Sequence, residues 1–421
     1  MPGACEEPLQ AAIRLTDDRP RARVMIYSHD TFGLGHLRRS RAIANALVAE
    51  RPGLSAIIVS GSPVIGSFEF GPGVDYVRVP GVTKLPSGDY QALNLNLSID
   101  EATRLREAII LQTAETFDPD VLIVDKEPTG FRGEVLPTLN AMRRRGCHIV
   151  LGVRDVVDDP ELLVPEWSRK GAADAISDFY DEVWIYGLEE IYRPLACLDL
   201  PTHIDDRTIY TGYLRREVPA EPSLTHYPAI TSEPFILVTT GGGGDGDDVI
   251  EWVLSAYEAD PDIPLPALIV FGPFINRDRR RLFLERIGRH PKLDAIAFDT
   301  KLEMLMSRAS AIVAMGGYNT FCEVLSLDKP ALVVPRTRPR REQLIRAIEA
   351  ERLGLVSKLV EDEAARDPLA MAAALRRLPA QPSPSQVTVP GLLDGLDIIR
   401  GRIASILETR GDRAALRQAA E

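Results

Sequence analysis

The string Thr239-Thr-Gly-Gly-Gly-Gly-Asp-Gly246 puts four consecutive glycines, Gly241, Gly242, Gly243 and Gly244, between an apolar strand-like run and a helical one. Glycine lets backbone N–H groups come close to a ligand, and a helix start adds partial positive charge. Two linked phosphates suit such a loop. No Gly-Lys-Ser/Thr follows, so it is not a triphosphatase loop, and the spacing is not that of a dinucleotide fingerprint. Asp245, Asp247 and Asp248 read as capping and first-turn carboxylates rather than metal ligands. A second string, Met315-Gly-Gly-Tyr-Asn-Thr-Phe-Cys-Glu323, repeats the arrangement. Gly316 and Gly317 follow a strand, Tyr318, Asn319 and Thr320 continue the candidate donor site, Asn319 or Thr320 can cap a helix, and Glu323 projects one turn into it. A carboxylate there can accept both hydroxyls of a ribose while the helix start faces phosphate.

A third string, Gly33-Leu-Gly-His-Leu-Arg-Arg39, lies near the other end of the chain, again after a strand-like run. Gly33 and Gly35 allow a substrate near the backbone. His36 is the side chain best able to take a proton near neutral pH. Its neighbours Arg38 and Arg39 either bind phosphate of an acceptor or face water. Asp125 and Asp155 each stand at a strand tip, in Asp125-Lys-Glu-Pro-Thr-Gly130 and Arg154-Asp155, and either can orient His36. Spacing does not decide between them. No Asp-x-Asp stands at a strand end, so no metal is expected.

The elements that must hold these strings alternate. Strands are expected at 23–28, 56–60, 120–125, 147–153 and 182–186, with helices at 37–50, 99–116 and 133–145. The pattern restarts with strands at 235–239, 267–271, 311–315 and 331–335, around helices at 247–258, 277–288 and 319–327. Short apolar runs separated by helices imply parallel sheets covered on both faces. Between the halves, residues 201–234 carry Pro219, Pro222, Pro228 and Pro234 with little period, as a linker would. Gly212-Tyr213 marks the end of the first half, near a hinge. Expected divisions are a loose leader at 1–20, domains at 21–215 and 216–390, and a helical tail at 391–421.

The chain has 421 residues, 45% of them apolar, with a net charge of −12. That suits two soluble domains and argues against a nucleic-acid partner, which calls for a basic footprint. Cys5, Cys147, Cys197 and Cys322 lie far apart, so neither zinc nor a redox pair is expected. No secretory pattern opens the chain and no run is long enough to span a bilayer. A cytoplasmic location, with membrane contact at most peripheral, is the expectation.

The order Gly241–Gly244, Gly316-Gly-Tyr-Asn-Thr, Glu323, Lys329-Pro, Val334-Pro335 and Glu342-Gln343 resembles that of MurG-like glycosyltransferases over most of residues 23–360. The Met-Gly-Gly-Tyr-Asn-Thr string is similar to a bacterial group of predicted glycosyltransferases. The resemblance implies the GT-B fold: two Rossmann-like α/β domains facing a cleft. It implies a UDP-sugar as co-substrate, with N-acetylglucosamine as the candidate sugar, and no other cofactor. It assigns the glycine loops to the diphosphate, Glu323 to the ribose, and Glu342 and Gln343 to the donor sugar. His36 becomes the base for an acceptor of unknown identity. The loop Gly33–Arg39 also resembles that of a related UDP-sugar hydrolase, so water is an alternative attacker. An epimerase of the same structural group and a non-catalytic nucleotide-sugar sensor are further alternatives.

Overall fold

Nine strands and five helices build the first half of the computed structural model, which describes residues 22–29, 35–85, 89–222, 226–242, 244–360 and 365–420. The strands are β1 (Ala22–Ser28), β2 (Leu54–Ser60), β3 (Val74–Arg78), β4 (Val82–Lys84), β5 (Tyr90–Ala92), β6 (Val121–Asp125), β7 (His148–Arg154), β8 (Glu182–Tyr186) and β9 (Thr208–Tyr210). The helices are α1 (Gly35–Glu50), α2 (Ile99–Phe117), α3 (Leu136–Arg144), α4 (Pro160–Arg169) and α5 (Ala172–Phe179). Seven strands form one parallel sheet in the order β3-β2-β1-β6-β7-β8-β9, and β4 and β5 pair as a separate antiparallel hairpin. Val121–Asp125 and Glu182–Tyr186 are buried at every position. Such runs fit a sheet with helices on both faces.

The second half holds β10 (Ile236–Thr239), β11 (Ala267–Val270), β12 (Leu293–Ile296), β13 (Ala311–Ala314), β14 (Ala331–Val333) and β15 (Ser357–Lys358). Its helices are α6 (Asp247–Ala259), α7 (Arg277–Ile287), α8 (Leu302–Arg308), α9 (Tyr318–Ser326), α10 (Glu342–Arg352) and α11 (Pro368–Arg377). Its parallel sheet runs β12-β11-β10-β13-β14-β15.

Each sheet reverses its winding once, at β1/β6 in the first domain and at β10/β13 in the second. Crevices at the carboxyl ends of strands flanking such a reversal are where open α/β sheets bind ligands. The three glycine strings fall at these places: one follows β1, one follows β10 and one follows β13.

The stretch read as a linker is more structured than its prolines suggest. Residues 202–207 form a 3₁₀ turn, and β9 pairs with β8 to extend the first sheet. The helix expected from 133 begins at Leu136, because Gly133 closes a preceding turn at φ +87°.

The last helix, α12 (Gly395–Ala420), crosses back to the first domain. Ile399, Ile403 and Ile406, spaced to share one face, are buried. Ion pairs from Arg400 to Glu50 (2.5 Å) and from Arg402 to Glu182 (2.5 Å) flank them. The chain therefore passes between domains twice, and the two crossings pair. Tyr213 N–H donates to Leu392 O (2.8 Å), Gly395 N–H donates to Tyr213 O (3.2 Å), and Leu214 and Asp394 form an antiparallel bridge. Among the described residues no helix is long and apolar enough to cross a membrane.

Candidate active site

His36 is the second residue of α1, and Asp125 ends β6. The reversal point sets β1 and β6 side by side, so residues 89 apart in sequence meet, His36 Nδ1 against Asp125 Oδ2. Arg39, one turn along α1, donates from Nε (2.9 Å) and Nη2 (2.7 Å) to Asp125 Oδ1, and from Nη2 to Oδ2 (2.8 Å). Burial raises the Asp125 carboxyl, but Arg39 and then His36 override it and hold it well below the usual carboxylate range. Burial pushes His36 down to about 4, against the raising effect of Asp125. The imidazole is thus neutral at pH 7. Arg39 Nη2 also lies 3.0 Å from Nδ1; the Asp125 carboxylate favours the tautomer with Nδ1–H turned to it and the lone pair on Nε2, as in a histidine oriented by an aspartate.

Asp155 does not reach His36. It accepts from Arg346 Nε (2.7 Å) and Nη2 (2.6 Å) and from the Tyr213 hydroxyl (2.9 Å), all buried. Arg346 also donates to Gly316 O (2.9 Å), so this pair clamps the tip of β7 to the turn after β13. The acid beside His36 is Asp125, and Asp155 is an interdomain anchor.

The two arginines expected at an acceptor phosphate have other partners. Arg39 is buried on Asp125. Arg38 spans the cleft, its Nη2 at 2.7 Å from Glu303 and 2.5 Å from Glu323. Gly35 opens α1, and its carbonyl accepts from Asn319 Nδ2 (2.9 Å). Gly33 and Gly243 lie outside the described residues.

On the facing domain, Gly241 takes φ +69° and Gly316 φ +77°. A side chain at Gly316 would place Cβ 2.6 Å from Val333 Cγ1, so the turn requires glycine. Gly317 caps α9 with open space before it, and Gly246 caps α6. Thr320 lines the cleft beside Tyr318, whose ring stacks on Tyr213. Asn319 also accepts from Arg216 Nη2 (2.9 Å), so both ends of its amide are engaged. Glu323 is fully buried against Arg38 and does not open on the cavity. Burial raises its carboxyl to about 7 even with Arg38 beside it.

Glu342 and Gln343 stand at the start of α10 and line the cavity. Gln343 accepts from the Arg336 amide (3.0 Å), and the Arg336 guanidinium bridges Glu342 and Asp245. Arg340 pairs with Asp158 (2.9 Å) and Glu166 (2.8 Å), and Arg341 with Asp159 (3.1 Å), across the cleft. Three arginines between β14 and α10, Arg336, Arg340 and Arg341, are thus held by carboxylates.

One cavity of about 240 Å³ joins these parts. Its wall includes His36 and Arg39 from the first domain, and Gly241, Gly242, Gly244, Gly317 and Thr320 from the second. Arg154, at the last position of β7, also lines it. The sequence sets Arg154 beside Asp155 at the end of a strand-like run, where the acid alone was given a role.

Residues 235–384 match the family model for the glycosyltransferase family 28 C-terminal domain. A comparison with curated protein sequences finds no match. Among solved structures, MurG from Acinetobacter baumannii is similar at a TM-score of 0.54 and 13% identity, over 90% of this chain and 99% of that one. CalG4, the calicheamicin glycosyltransferase, is similar at 0.53 and 16%, over 94% and 98%. MnaA from S. aureus, in a co-structure with UDP, is similar at 0.58 and 15%, over 93% and 97%. The fold is GT-B. The paired crossings and returning α12 are thus features of a GT-B molecule whose second domain carries the family 28 match.

Proposed function

We propose that this GT-B chain is a glycosyltransferase that moves a sugar from a UDP-sugar, with N-acetylglucosamine the candidate, to an acceptor hydroxyl. The observation that carries the reading is that the His36–Asp125 pair and the glycine turns of the facing domain line one cavity. The family 28 match over the second domain supports donor binding there. In the proposed reaction His36 Nε2 takes the proton of the acceptor hydroxyl as its oxygen attacks the anomeric carbon. The bond from that carbon to the β-phosphate oxygen breaks, and its electron pair leaves with UDP. Direct displacement inverts the anomeric centre. Glycine-loop amides and helix starts face the developing charge, so the reading requires no metal.

In this reading Glu342 and Gln343 hold the sugar, and Glu323 holds the ribose once Arg38 has moved. A cavity of about 240 Å³ is below the roughly 300–1,000 Å³ of ligand pockets, so the donor enters a more open arrangement. The test incubates the protein with UDP-sugars in EDTA, with and without cell extract, and follows UDP. Release that needs extract is expected. Release in buffer alone would make water the attacker and the chain a hydrolase. Tight binding without release would remove the enzymatic reading.

A further inference from the structure

Arg154 stands apart from the other arginines of the cleft. Among the described residues, no Asp or Glu oxygen lies within salt-bridge distance of its guanidinium, although it lines the cavity. Among the described residues its buried Nε has no partner, and its guanidinium makes only a long contact from Nη2 to Val157 O (3.5 Å). Arg38, Arg39, Arg336, Arg340 and Arg346 around the cleft all have carboxylate partners. A buried donor left unpaired costs free energy that an arriving acceptor recovers. Burial lowers the guanidinium to about 10, with Glu342 opposing and the like charges of Arg39 and Arg346 adding to the fall. It remains a cation at neutral pH.

Arg154 is also held in place relative to the opposite domain. Its neighbour Asp155 is clamped by Arg346, and Arg346 grips the carbonyl of Gly316. Arg154 is thus indexed, through one residue and one side chain, to the turn that starts α9. A preorganised cation aimed at a place where negative charge develops stabilises departure of that charge.

We propose that Arg154 binds the β-phosphate of the nucleoside diphosphate and stabilises it as the leaving group. This rests on the UDP-sugar reading of the cavity. The first domain then supplies both the base, His36, and a counter-charge for the departing phosphate, and the second domain supplies the amides. Arg336 is already neutralised by Asp245 and Glu342, which leaves Arg154, among the described arginines that line the cavity, as the guanidinium with capacity to spare.

The test measures calorimetric affinities for UDP, UMP and uridine in the parent chain and in Arg154→Gln and Arg154→Lys. The expected result is a tenfold or greater loss for UDP in Arg154→Gln, a smaller loss in Arg154→Lys, and unchanged UMP and uridine. Turnover of Arg154→Gln should fall more than its UDP affinity does, and added guanidinium ion should restore part of it. Unchanged UDP affinity would overturn the proposal. Equal losses for UDP, UMP and uridine would also overturn it, because Arg154 would then shape the site rather than hold the β-phosphate. If the parent chain binds neither UDP nor uridine, the UDP-sugar reading itself falls and this assignment with it.

Discussion

At the scale of single residues, the chemistry turns on how deeply His36 is buried. Its ordinary value near 6.5 falls to about 4 because burial disfavours the imidazolium more than Asp125 favours it. A base works in its neutral form, so kcat/KM should stay level from pH 7 to about 5 and decline only as pH approaches 4. An acid limb near 6.5 in the pH–rate profile would take the role of base away from His36. The same shift has a stability consequence. Between those two values the unfolded chain binds the proton that the folded one refuses, so stability falls as pH drops through that window. Asp125→Asn should reduce turnover by ~10²–10⁴ while leaving UDP affinity intact, since the tautomer is lost and the donor site is not. Loss of both together would mean that Asp125 supports the fold alone. The types of these residues were legible in the sequence, because a histidine after Gly-x-Gly has few structural reasons to be there. Their pairing was not, because it depends on β1 and β6 becoming neighbours.

At the scale of elements, α1 and α9 meet through the Arg38 guanidinium as well as through the Asn319–Gly35 hydrogen bond. Arg38 on α1 occupies Glu323 and Glu303, and the ribose assigned to Glu323 must displace it. Arg38→Leu should therefore strengthen UDP binding several-fold in calorimetry. Weaker binding would place Arg38 inside the donor site instead of in competition with it. The glycine strings were readable because backbone geometry limits what can replace them: the turn at Gly316 packs against Val333 and leaves no room for a Cβ. The arginines were not readable in this way. An arginine beside a glycine loop looks the same whether it meets phosphate or a carboxylate from another element, and Arg38, Arg39, Arg340 and Arg341 all met carboxylates. Period gave the final helix, but a helix's own period does not say which domain covers its apolar face.

At the scale of the whole molecule, the domains are fastened by the buried Asp155–Arg346 pair. Arg346→Met should cost about 3–5 kcal/mol in urea unfolding, because it strands a buried carboxylate. The double variant Asp155→Asn with Arg346→Met should recover most of that loss. Additive losses would show that the two side chains act separately. The paired crossings at 212–214 and 392–395 bear on a different property, the order in which the chain becomes a protein. The first domain receives Ile399, Ile403 and Ile406 only after the second domain has been made. As the chain leaves the ribosome, the earlier domain waits with one apolar face uncovered while the later one is completed in full. The second domain is in effect an insertion within the first. Two antiparallel stretches of backbone tie its base, and a double tether resists swivelling in a way that a single linker does not.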